Sequence, residues 1–95
     1  LRARVVAARM YCALAKRQRN DPKMKEERMR NLGTALTLAE NAAEGAYGAV
    51  YANLEVIAHR ALSEIYTEMG DTARAGKYRN TADGLARRFS YRTKE

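Results

Sequence analysis

Residues that carry chemistry are scarce in this chain. Among 95 residues there is one histidine (His59), one cysteine (Cys12), one proline (Pro22), one phenylalanine and no tryptophan. A single cysteine excludes an internal disulfide framework and fits a reducing, cytoplasmic compartment. Cys12 lies among alanines, where a thiol behaves as a small hydrophobe. Too few His, Cys and carboxylate side chains converge to suggest a metal site. No glycine loop of the phosphate-cradling kind is present, since Gly45 and Gly48 lack a flanking strand and lysine. His59 has Glu55 four residues before it and Ser63 four after it. That line could be read as orienter, base and nucleophile, but all three share one helix and nothing beside them would hold an oxyanion. The expectation is a rim histidine, no enzymatic activity, no cofactor and no metal. No apolar run approaches the roughly 20 residues that cross a bilayer.

What is abundant is alanine, within a hydrophobic fraction of 46%. Alanine favours helix and close approach but buries little area per residue. With little proline and no strand-like alternation, the expectation is an all-α single domain of four antiparallel helices. The chain opens without Met, directly in helical pattern, as expected of a fragment or a processed chain.

The third helix, Gly45 to Met69, is the expected organiser. Tyr47, Val50, Tyr51, Leu54, Ile57, Ala58, Ala61, Leu62, Ile65 and Met69 gather on one side, Tyr66 sits at the edge, and Val56 breaks the pattern. So wide an apolar arc predicts two packed neighbours. The first helix, Arg2 to Asn20, presents Ala3, Ala7, Met10 and Leu14 at alternating spacings of four and three, beside Tyr11. These are expected to face the core, with Arg2, Arg9 and Lys16 on the opposite face and Arg17 and Arg19 near them. Asp21 and Pro22 suit the cap and first position of a second helix ending near Glu44. Its expected face is Met29, Leu32, Ala35, Leu36, Ala39 and Ala43. Gly70 and Asp71 read as a stop and restart before a fourth helix, Thr72 to Phe89. Ala75, Tyr78, Ala82, Leu85, Ala86 and Phe89 form its face, and residues 90–95 are expected to fray.

Two hairpins, 1–44 and 45–89, can be laid over one another. Residues 38–43 match 81–86 at an offset of 43, and the Asn20-Asp21 turn matches Gly70-Asp71 at an offset of 50. In the second hairpin Leu62, Ser63, Tyr66, Gly70, Asp71, Ala75, Tyr78 and Ala82 alternate bulky and small residues around the turn. That pattern resembles a tetratricopeptide (TPR) repeat, of the long-helix type found in bacterial regulators. His59 departs from the family's usual aromatic and Arg87 from its usual proline, and the helices exceed the family's unit of about 34 residues. The resemblance implies a protein-interaction or assembly module with a groove lined by the first helix of each pair. Asn53, Arg60, Glu64, Thr67 and Glu68 are then the groove residues, with Arg17 and Gln18 as counterparts on the first helix.

Charge supplies the remaining signal. The net +7 is accounted for by residues 1–30, which hold ten Lys/Arg against three acids, while residues 31–95 hold eight of each. A basic face of Arg2, Arg9, Lys16, Arg17 and Arg19 could contact a protein or track a phosphate backbone. Stacking aromatics are scarce beside it, so base readout is not expected. A membrane surface is not expected either, because an alanine-rich face without Trp or Phe anchors poorly. Two repeats with alanine faces bury little area, which predicts self-association or packing against neighbouring repeats.

Overall fold

The computed structural model describes residues 2–45 and 52–94, with the side chains of 52 and 89–94 outside that description. Four helices occupy the described chain: α1 (Arg2–Arg17), α2 (Lys25–Gly45), α3 (Ala52–Glu68) and α4 (Thr72–Lys94). A 3-10 turn at Pro22–Met24 precedes α2. The fold is all-α, as the sequence predicts. The packing expected of Tyr47, Val50, Tyr51 and Phe89 lies outside the described residues. The first helix stops at Arg17, short of Asn20, and α4 continues past Phe89 to Lys94.

Local chemistry fixes both turns. The Asp21 carboxylate accepts from the Lys23 backbone N–H at 3.0 Å, and Pro22 occupies the first helical position, where no donor is needed. At the other turn Gly70 takes φ +82°, a conformation that side chains resist. The N–H of Asp71 then reaches the Tyr66 carbonyl at 2.9 Å and that of Gly70 reaches Thr67 at 3.1 Å. This pair of bonds closes α3 as a Schellman motif. Asp71 caps α4 through the Arg74 N–H at 3.0 Å.

The helices pair as α1 with α2 and α3 with α4, and α3 also lies against both helices of the first pair. Among the described residues, the backbone of α4 approaches α3 alone. In a closed four-helix bundle α4 would return to α1. This is instead an open stack of two hairpins, 53 × 24 × 17 Å. The core joins Ala8, Cys12 and Ala15 of α1, Leu32, Ala35 and Ala39 of α2, and Ala61, Leu62, Ile65 and Tyr66 of α3. A smaller cluster of Val5, Ala42 and Ala58 continues it. Val56, which breaks the sequence pattern, is buried as well, so α3 is covered on more of its circumference than its apolar arc suggests.

The phase of α1 corrects the sequence reading. Its buried face is Val5, Ala8, Cys12 and Ala15, whereas Met10 and Leu14 are exposed and Ala7 is half-buried. The reason is steric. Alanine and cysteine let α1 approach α2 and α3 closely, and the bulkier residues of the other face are left outside. In α2 the expected face holds except that Met29 is exposed and Ala42 is buried. The two hairpins bury equivalent positions. Residues 8, 12, 15 and 18 are buried, as are 58, 62, 65 and 68 fifty positions on, while 3, 10, 14 and 17 are exposed like 53, 60, 64 and 67.

Two leucines test this phase. Leu32→Ala should cost about 2–5 kcal/mol, because Leu32 is fully buried. Leu14→Ala should stay within about 0.5 kcal/mol of wild type. Urea midpoints measure both, and equal losses would place Leu14 in the core.

Candidate functional site

Among the described residues, the outer side of α1 carries several large apolar side chains that the core leaves unused. Met10 is 67% exposed, Val6 53% and Leu14 40%, and Tyr11 stands beside them. Met10, Tyr11 and Leu14, together with Ala7, Ala13 and Arg17, border an open concavity of about 600 Å3. Scattered exposed hydrophobes are ordinary on a monomer, whereas these lie together on one side of a single helix. Over its 16 residues α1 holds five Lys/Arg and no acid. Arg2, Arg9 and Lys16, seven apart, are all exposed and run along one edge of the stripe. Arg17 interrupts the stripe near its end.

Arg19 and Glu68 do not belong where the sequence reading placed them. The Glu68 side chain is only 3% exposed. It is not a groove residue but the centre of a polar clasp joining three helices. Arg19 forks onto both of its carboxylate oxygens, with Nε 3.3 Å from Oε2. Arg28, at the start of α2, donates to Glu68 Oε2 at 3.3 Å, to the Glu68 carbonyl at 2.8 Å and to the Ala15 carbonyl at 3.3 Å. Two helix C-termini thus satisfy orphan carbonyls on one guanidinium. Gln18, the other expected groove counterpart, is buried and accepts from Asn31 at 3.0 Å. Arg19 is therefore withdrawn from the basic face, which reduces to Arg2, Arg9, Lys16 and Arg17. Burial alone would raise the Glu68 pKa. The hydrogen bonds and charges of Arg19 and Arg28 outweigh it and hold the carboxyl below its ordinary value.

The other groove residues stay at the surface. Asn53, Arg60, Glu64 and Thr67 are exposed on α3, at positions equivalent to the α1 stripe. Arg60 pairs with Asp83 of α4 at 3.2 Å, both side chains half in solvent, and the Thr67 hydroxyl donates to the Ser63 carbonyl at 2.9 Å. His59 is half-buried: its Nδ1 lies 2.8 Å from the Glu55 carbonyl and its ring 5.9 Å from that of Tyr78. Tyr78 in turn stacks on Tyr66 at 5.5 Å, and Arg74 covers Tyr66. Ser63 donates its hydroxyl to the Ala75 carbonyl at 2.8 Å, which engages it in holding α3 to α4. Burial raises the Cys12 thiol pKa, the opposite of what a reactive thiolate needs. Among the described residues no group of three or more His, Cys, Asp and Glu could hold a metal, and no helix is long and apolar enough to cross a membrane.

No protein-family model, no curated protein and no solved structure matches this chain.

The clasp has a pH signature. A carboxyl whose folded pKa is depressed stabilises above its unfolded pKa of about 4.3 and loses that contribution as pH falls through the folded value. Wild-type stability should decline from about pH 5 downward. Glu68→Gln should be about 1–3 kcal/mol less stable at pH 7 and decline less in acid. Thermal melts from pH 7 to 3 measure both, and parallel curves would remove Glu68 as the titrating group.

Proposed function

We propose that this domain is a non-enzymatic protein-interaction or assembly module, built as two TPR-like hairpins. One observation carries the reading: α1 turns Val6, Met10, Tyr11 and Leu14 outward while filling its core face with alanine and cysteine. A monomer gains nothing from exposing its larger side chains and burying its smaller ones, whereas a module that presents a surface to another chain does. The repeated burial pattern at an offset of 50 and the open stacking of α3 on the first hairpin support the repeat reading. The groove residues Asn53, Arg60, Glu64 and Thr67 occupy equivalent positions on α3 and would extend the α1 surface.

A nucleic-acid reading starts from the row Arg2, Arg9 and Lys16. It is weaker, because the apolar stripe beside that row would be left in water or against phosphates, and Arg19 and Arg28 are already engaged with Glu68.

Salt separates the two. An apolar surface fringed by like charges associates with itself more as salt screens the repulsion, whereas phosphate binding weakens. Light scattering should show wild-type self-association rising between about 0.1 and 1 M NaCl. Met10→Ser/Leu14→Ser should abolish the rise with an unchanged urea midpoint. A wild-type chain that stays monomeric throughout would count against the reading. Binding of a labelled DNA duplex that is lost in an Arg2, Arg9, Lys16 and Arg17 to Gln variant would favour nucleic acid.

A further inference from the structure

We propose that the outer face of α1 docks an acidic amphipathic helix. Ala3, Ala7, Met10 and Leu14 would receive it, and Arg2, Arg9 and Lys16 would orient it. The inference rests on the interaction reading above and names the partner's chemistry.

Spacing identifies the occupant as a helix. Ala3, Ala7, Met10 and Leu14 follow the alternating four-three spacing by which one helix seats another along a coiled-coil seam. The core does not use that seam, because it takes the opposite face of α1. A 16-residue helix is about 24 Å long, enough for roughly two heptads of contact. The seven-residue period of Arg2, Arg9 and Lys16 matches the period of the seam. These cations stand one row outside its Val6 and Ala13 edge, so acids along that flank of a docked helix would be met by long side chains reaching over that edge.

At low salt, charge disfavours the chain's own helices as this partner. Two α1 helices packed seam to seam bring together ten Lys/Arg and no acid. Stacking α1 on the α4 of another copy is no better, since α4 carries seven Lys/Arg against one Asp. The acids of the chain concentrate in α2 and α3, whose apolar faces are spent on the core. Like charges in register are repulsive, and complementary ones give register and specificity.

The composition of the seam argues against a lipid surface. A helix lying in the interface anchors through Trp, Phe or Leu on its apolar face. Here the seam is half alanine and α1 holds no Trp or Phe, so a lipid surface would gain little from it.

The test uses the full chain and a fluorescein-labelled 21-residue helical peptide with leucine at the seam positions and glutamate along one flank. Comparison peptides replace glutamate by lysine, or leucine by serine. Anisotropy at about 0.15 M salt, near a Debye length of 8 Å, should show the acidic leucine peptide bound at least tenfold more tightly than either comparison. Met10→Ser/Leu14→Ser should weaken it at least tenfold, with the helical circular dichroism retained. Arg2→Glu/Arg9→Glu/Lys16→Glu should reverse the preference toward the lysine peptide. The proposal is overturned if the serine-seam peptide binds as well, or if Met10→Ser/Leu14→Ser changes nothing. It is also overturned if phosphatidylserine vesicles or duplex DNA displace the peptide as well as an unlabelled copy does. If no peptide binds while salt-driven association through Met10 and Leu14 persists, only the acidic-helix assignment fails. If both are absent, the interaction reading fails with it.

Discussion

Close approach through alanine is the constraint on which this architecture depends. Nine of the sixteen buried hydrophobic residues named in the core are alanines, spread over all four helices. Each buries little area, so burial by itself stabilises less than a leucine core of the same length would. What alanine permits is short interhelical distance, which brings backbones and their neighbours into contact. Among the described residues the few large buried ones, Leu32, Leu62, Ile65 and Tyr66, are concentrated on α2 and α3, where the hairpins join. Helix α3 holds three of these four and contacts every other helix, which makes it the element whose loss would separate the two hairpins. The Tyr66–Tyr78 stack and the Ser63–Ala75 bond secure α4, which has no other backbone neighbour among the described residues.

A core of small residues leaves a place for polar cross-links, and the clasp around Glu68 takes it. Glu68 is the last residue of α3, where a carboxylate opposes the helix dipole. Its position is tolerable only because two guanidinium groups neutralise it, and one of these also satisfies carbonyls at the ends of α1 and α3. The clasp lies where the turn after α1, the start of α2 and the end of α3 converge. It therefore sets the register of the first hairpin against α3. It also sets Arg19 and Arg28, engaged with Glu68, apart from the exposed row of Arg2, Arg9 and Lys16.

Much of this was legible in the sequence. The turns were, because Asp21-Pro22 and Gly70-Asp71 carry their own backbone chemistry. So were the faces of α2 and α4, where one side is plainly polar. The phase of α1 was not, because that helix is apolar on two sides: Val5, Ala8, Cys12 and Ala15 on one, Val6, Met10 and Leu14 on the other. Side-chain size favoured the wrong one. The offset of 50 that aligns the turns would have resolved it, since it sets Ala8, Cys12 and Ala15 over Ala58, Leu62 and Ile65. The clasp had only a faint signal, a carboxylate at a helix C-terminus, because its partners lie 40 and 49 residues away.

The charge asymmetry also looks different once helices replace residue ranges. Residues 31–95 sum to zero, yet that sum combines a strongly basic α4 with the acids of α2 and α3. Both outer helices of the stack are cationic and the inner ones are not. Open repeat stacks expose terminal surfaces that invite further stacking unless the ends are made unsuitable. Five Lys/Arg on α1 and seven on α4 make copy-on-copy stacking repulsive at low salt. The apolar stripe on α1 can then remain exposed at low salt, and an acidic helix of the kind proposed above would meet no such repulsion. The same cations that prevent the wrong contact would select the right one.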